Sequence, residues 1–272
     1  MIRLLNEFDR SAAVDLLRQS PIYNLYMLGN LAAVGFDRAF CQFWGEWGAD
    51  GQLRAVLNRY MGNWVLFGQP GADWAGLGDI LDGHEVTANA VQDNPGGIES
   101  WLPYLRRYRA IDVNATKLMA LDAPDFRPLS PAVGVRVRRA GMADLPRLVD
   151  FFADAGSMTR SPAAVERPLR DTRVWLAEPV DATSETPILS TALTNAEVPD
   201  RAMIGGVYTP LAHRNQGLSA AVCSALCADL FADQKQPVLY WENPAAGSVY
   251  SKLGFHPIGL WRSVTLESTK NN

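Results

Sequence analysis

The stretch "LDAPDFRPLSPAVG", residues 121–134, limits what this chain can become more than any other. Pro124, Pro128 and Pro131 fall within it, with no apolar periodicity between them. Each proline fixes its own φ and removes a backbone donor, so neither a helix nor a central strand runs through. The reading is a linker at 125–134 between two halves, 1–124 and 135–272, each of ordinary domain size.

The second half reads clearly. "VRVRR" (135–139) is a strand, "MADLPRLVDFFADAG" an amphipathic helix stopped at Gly156, and "SPAAVERPLRD" a short helix. "RVWLAE" and "PILSTALTNAE" are strands around a turn-rich loop, a hairpin pattern. "AMIGGVYTP" is another strand, and residues 216–233 a long helix. "PVLYWE", "PAAGSVYSKLG" and "PIGLWRSVTL" close the chain as strand, helix and strand. The order is β-α-α-β-β-β-α-β-α-β. The first half gives helical patterns over about 8–33, strands at "CQFWGEW", "QLRAVLNRY" and "NWVLFG", and a helix at 72–82. A strand near "HEVTANAV", a helix near 97–107 and a strand at "ATKLMALD" follow. Its order, α-α-β-β-β-α-β-α-β, is so close that two copies of one architecture are expected, although no residue-level repeat is apparent.

Composition excludes several classes. The net charge is −4 with acids and bases mixed, which is no footprint of a nucleic-acid binder. No apolar run approaches the ~20 residues that cross a bilayer, so no membrane partner is expected. The N-terminal "MIRLLNEFDRSAAVDLLRQS" carries acids inside its apolar pattern and reads as a folded amphipathic helix, not a signal peptide. Three cysteines, Cys41, Cys223 and Cys227, point to thiols in a reducing cytoplasm, and the pair four apart to helix packing. His84, His213 and His256 stand in no ligand-like cluster, so no metal is expected.

Chemistry concentrates in "VYTPLAHRNQGLSAAV", residues 207–222, where a strand gives way to a helix. The first four N–H groups of a helix lack intrahelical partners and lie at the positive end of its dipole, where a diphosphate fits. Gly217 lets the backbone approach phosphate oxygens, and Arg214 at the mouth adds a charge-assisted contact. An ordinary solvated strand-to-helix turn is the competing reading.

This stretch resembles the GNAT acetyltransferase family, whose hallmark at such a junction is Arg/Gln-x-x-Gly-x-Gly/Ala. Arg214, Gly217 and Ser219 carry the match, with serine where the family prefers a smaller residue. "NPAAGSVYSKLGF" (243–255) resembles the family's second motif through Asn243, Ala246, Tyr250, Lys252, Gly254 and Phe255. The resemblance covers about 135–266; for the first half it rests on element order.

The resemblance implies an α/β protein with two GNAT-like domains. Each would have a mixed, mostly antiparallel sheet flanked by helices, with a splayed strand pair in the second. It implies acetyl-CoA as cofactor, its pyrophosphate held around Arg214, Asn215, Gln216, Gly217, Leu218 and Ser219, with Val207, Thr209 and Asn243 also at the cofactor. The pantetheine arm is expected between "GGVYT" and "VLYWE", and the thioester oxygen on a backbone N–H near Val207. A small-molecule or peptide amine is the acceptor class, and its identity stays open. Tyr250 stands where the family often places the acid for the leaving thiolate; its alternative reading is a core aromatic. "RAMIGGVY" holds no acid, so Glu242 is the candidate base, with Glu178 a second choice and Thr194 and Asn195 candidate substrate contacts. In the first half the corresponding turn, "VLFGQPGADWAGL", has Pro70 and Asp73 where a cradle needs N–H groups and positive potential. That domain is expected to lack cofactor, and Trp44, Trp47, Trp64 and Trp74 to serve packing. A GNAT fold that binds CoA or a metabolite without catalysis is the rival function.

Overall fold

The structure is a computed structural model that describes residues 1–36 and 38–269. The chain divides into two compact units, residues 1–117 with 259–272, and residues 118–258.

In the first unit the elements are β1 (Ile2–Leu4), α1 (Arg10–Leu17), α2 (Leu25–Ala33), β2 (Cys41–Trp47), β3 (Leu53–Tyr60) and β4 (Asn63–Gly68). Then come α3 (Trp74–Gly83), β5 (Ala90–Asp93), α4 (Pro95–Trp101) and β6 (Tyr108–Ala120). The expected helical run over 8–33 is two helices, and a short strand precedes it: Ile2, Arg3 and Leu4 pair with Glu46, Gly45 and Trp44. β1 to β4 are antiparallel neighbours, and β4 and β5 are parallel. The core on one sheet face gathers Trp64, Leu66, Leu77, Leu81, Ile98 and Trp101. Trp44 and Trp64 stack there, so these two indoles are packing residues as expected.

The second unit continues with β7 (Val135–Arg139), α5 (Leu145–Ala153), α6 (Pro162–Asp171), β8 (Val174–Pro179) and β9 (Ser190–Val198). It is completed by β10 (Arg201–Tyr208), α7 (Leu218–Ala232), β11 (Gln236–Trp241), α8 (Pro244–Leu253) and the start of β12 (His256–Ser268). β7 to β10 are antiparallel neighbours and β10 and β11 are parallel, the same plan as in the first unit. α7 forms because it is rich in alanine and leucine and holds no glycine or proline. Its Leu218, Val222, Leu226 and Leu230, spaced by four, bury one stripe against the sheet. Cys223 and Cys227 are buried free thiols in that helix, and burial pushes the Cys223 thiol up to about 12.

The last strand departs from the linear division at 124/135. Residues 262–265 of β12 pair with β5, so a segment far along the chain completes the first unit's sheet. Reciprocally, the last residues of β6 belong to the second unit, where β6 is the neighbour of β11 and Leu121 N–H donates to Pro237 O. The first unit's strand beyond its parallel pair thus comes from the far end of the chain, and the second unit's from the segment that leads into it. Hydrophobic patterning marks both segments as strands but is silent on which sheet takes them.

Asp93 ends β5 with only 1 % of its surface exposed. Burial raises its pKa to about 8, with Asn94 hydrogen bonds opposing the rise. A raised carboxyl favours folding at low pH and loses that contribution as pH climbs from its ordinary 3.8 through about 8. Asp93→Asn mimics the protonated form. Its thermal stability is expected to match the wild type near pH 4 and to exceed it at pH 9. Between those limits the gap widens by at most about 1.4 kcal/mol per pH unit. Parallel melting curves across that range would disprove the assignment.

Candidate active site

β10 and β11 pair only through Arg201↔Gln236, Ala202↔Pro237 and Met203↔Val238. β10 then runs on to Tyr208 and β11 to Trp241 without further pairing between them. The two strands part, as the sequence reading expects. On its other side β10 stays with β9, but irregularly: register shifts fall between Met203 and Ile204 and between Gly205 and Tyr208. Such bulges bend a strand and raise its twist, which carries β10 away from β11.

The junction lies directly beyond. Thr209 and Pro210 lead into a short 3-10 turn, Leu211–His213, then Arg214, Asn215, Gln216 and Gly217. Asn215 and Gly217 have φ of 62° and 74°, the left-handed region. Gly217 is the N-cap of α7, and no side chain caps this helix. Glycine adopts that φ without strain, and a Cβ built there meets nothing within 4 Å, so space above the helix end is open. By contrast Ser161 caps α6 and Asn243 caps α8 through their side chains. Leu218 is buried and anchors the first turn, with Ser219 half-buried beside it. Arg214 is exposed, and its Nε donates to Thr209 O at 3.1 Å, holding the guanidinium on the loop. Gln216 is exposed, and the Thr209 hydroxyl lies 2.8 Å from that of Ser190.

The other singled-out residues are distributed as follows. Val207, half-buried, sits within the stretch of β10 that has left β11. Asn243 accepts from Ala245 N–H at 3.0 Å and opens α8. Tyr250 is 6 % exposed; its ring meets Phe255 edge-on, and burial, helped by Cys223 and Cys227, raises its phenol far above the ordinary value. It therefore keeps its proton. Glu242 is exposed, one residue beyond β11.

Glu178 is a correction. It is fully buried, and its Oε1 accepts from Arg136 and Arg138 while Oε2 accepts from Arg147 and Arg138. Burial alone would raise its pKa, but the three guanidiniums outweigh it and hold the group at about 2. A carboxylate so engaged is no base. Thr194 is likewise buried, with its hydroxyl donating to Glu197 at 2.7 Å, so it is not a substrate contact. Asn195 falls at the first register shift of β9 and is reached by Arg160 and Arg167. His256, isolated along the chain, comes together in space with Asp122 and Asp125; their ligand atoms lie within 4.8 Å of one another.

The corresponding turn of the first unit is closed by its own side chains. Asp73 Oδ1 accepts from Gly76 N–H at 2.9 Å, capping α3. The indole of Trp74 lies over the end of β4, where a Cβ on Gly68 would come within 2.5 Å of it. β4 and β5 pair only over 63–65 and 90–92, so this strand pair also parts.

Comparison with known proteins agrees with this fold. Residues 187–264 match the family model described as FR47-like protein. A tandem GNAT protein from the clavulanic acid biosynthesis pathway is 15% identical, with a TM-score of 0.67, over 100% of this chain and 99% of that one. A Drosophila protein is 15% identical over 98% of both chains with a TM-score of 0.73. A GNAT-family protein of Novosphingobium aromaticivorans is 21% identical over 79% of this chain and 89% of its own, with a TM-score of 0.56. The comparison with curated proteins returned no match. The GNAT resemblance and the tandem GNAT fold are thereby borne out.

Proposed function

We propose that the second unit of this GNAT-fold chain binds acetyl-CoA or a related acyl-CoA and transfers the acyl group to an amine. The observation that supports it best is the parting of β10 from β11 immediately before α7, the helix that Gly217 leaves uncapped. The residues fit the cofactor: the helix end offers N–H donors and positive potential to a diphosphate, with Arg214 alongside. The open β10 backbone offers amide partners to a pantetheine arm.

Bound acyl-CoA would supply an activated thioester and a thiolate leaving group. The N–H of Val207 is the donor for the developing oxyanion, a role worth ~100-fold or more in rate. The Tyr250 hydroxyl, which keeps its proton, donates a hydrogen bond to the departing thiolate as negative charge develops on sulfur. Glu242, exposed beyond β11, accepts a proton from the incoming amine. The first unit is read as free of cofactor, because Asp73 already takes the α3 N–H group and places a carboxylate where a phosphate would go.

A second reading, binding without transfer, gains from the lack of a carboxylate in β10 and from the locking of Glu178. Two measurements separate the readings. Calorimetry with acetyl-CoA is expected to give one site per chain, and release of free thiol over a panel of amines reports transfer. No binding ends both readings; binding with no turnover for any amine favours the second. Tyr250→Phe is expected to slow transfer ~100-fold while CoA affinity stays nearly unchanged, since only the hydroxyl is lost. Full activity across pH would reduce Tyr250 to a packing residue.

A further inference from the structure

β9 carries two adjacent hydroxyl residues, Ser190 and Thr191, both fully buried. They face the second irregularity of β10. There the ladder steps from Gly205↔Leu193 to Tyr208↔Thr191, so Gly206 and Val207 together oppose Ala192 alone. An extra residue in a bulge breaks the regular ladder, and its backbone groups need other partners. The hydroxyls supply them: Thr191 Oγ1 donates to Gly206 O at 2.9 Å, and Ser190 Oγ donates to Tyr208 O at 3.2 Å.

The first of these bonds fixes a direction. The Gly206–Val207 peptide is trans, and in a trans peptide the C=O of one residue and the N–H of the next point opposite ways. With Gly206 O drawn toward β9, the N–H of Val207 is turned away from β9. Gly206 takes φ 55° to make this turn, and a Cβ there would lie 2.6 Å from Leu193. On the side away from β9 lies the stretch over which β10 has left β11. The hydroxyl bond also polarises the peptide it holds, which strengthens the N–H at the other end.

We propose that Thr191 is the positioning residue of the site: through the Gly206–Val207 peptide it aims and strengthens the donor that receives the thioester oxygen. This rests on the acyl-CoA reading above. Ser190 steadies the following turn by holding Tyr208 O and meeting Thr209.

The test uses the full chain and Thr191→Val, which keeps the β-branched shape and removes the hydroxyl. Thr191→Ser is the rescue, and Thr191→Cys a second variant should valine unfold the protein. The primary readout is the infrared carbonyl band of bound acetyl-CoA carrying carbon-13 in the acetyl carbonyl. In the wild type the band is expected below its solution frequency. In Thr191→Val, or in Thr191→Cys if it stands in, most of that displacement is expected to vanish, and in Thr191→Ser to return. Affinity for CoA itself, which has no carbonyl at sulfur, is expected to stay within about twofold. Transfer is expected to fall ~100-fold in kcat with KM little changed. An unmoved carbonyl band, or unchanged kcat, in the hydroxyl-free variant overturns the role of Thr191 and leaves the acyl-CoA reading intact. Failure of wild-type protein to bind acetyl-CoA removes the reading and this inference together.

Discussion

Replacing Gly217 by aspartate is expected to abolish the thermal stabilisation that acetyl-CoA gives the wild type. A ligand at ~100 times its dissociation constant adds about 2.7 kcal/mol to the folded state. For a chain of this size that is a rise of several degrees in melting temperature. Gly217 caps α7 with its backbone at φ 74°, and a Cβ added there meets only open space. An aspartate there would cap the helix itself, as Asp73 caps α3, and set a carboxylate against the diphosphate. Asparagine tolerates the left-handed conformation and carries no charge, so Gly217→Asn is the control expected to retain part of the effect. A full acetyl-CoA response in folded Gly217→Asp would place the cradle elsewhere.

The largest loss of stability is expected from Glu178→Ala. Its carboxylate is held by Arg136, Arg138 and Arg147, and Arg147 is itself mostly buried. Removing it leaves clustered guanidiniums without their shared counter-charge, a change that costs about 3–5 kcal/mol in comparable buried pairs. Asp144, which also bonds Arg138, offsets part of the repulsion. The pH dependence has a definite sign. Because Glu178 is depressed from its ordinary 4.5 to about 2, its contribution is present above 4.5 and fades as pH falls through 2. The wild type is therefore expected to lose stability across that acid window, and Glu178→Gln to lose less. A melting temperature within a degree of wild type for Glu178→Ala at pH 7 would show the arginines are solvated.

Most of the second unit is legible in the sequence. β7 spans the residues read for it, and α7 lies inside 216–233, because turn residues bound each segment and the apolar spacing is unambiguous. β1 has no such signal: three residues give no periodicity, and their strand character comes from pairing with residues 44–46. The parting of β10 and β11 is a matter of register, which the family resemblance implies and spacing alone does not. Thr191 reads as an ordinary β-branched strand residue; only the bulge opposite gives its hydroxyl a task.

The repeat between the halves exists at the level of residues, but sparsely. Asp93-Asn94-Pro95 leads to Trp101 as Glu242-Asn243-Pro244 leads to Tyr250, with the same spacing. Asn94 and Asn243 cap their helices alike, and Trp101 and Tyr250 are both buried. Arg3 and Asp9 form a bidentate pair six residues apart, and Arg138 and Asp144 do the same. These matches are scattered over segments whose hydrophobic residues differ. Element order reveals the duplication where side-by-side reading of the apolar pattern does not.

The exchange of β6 and β12 sets a timetable for synthesis. Residues 118–258 are contiguous, so the second unit can close without a strand from beyond it. The first unit cannot, because the strand that follows β5 in its sheet emerges only after the whole of the second unit. Until then β5 presents an unpaired edge, the kind of surface on which nascent chains mispair. A chain stopped short of residue 259 would leave that edge open permanently. Stop codons and insertions around 259–268 should therefore act on the half of the protein that is made first.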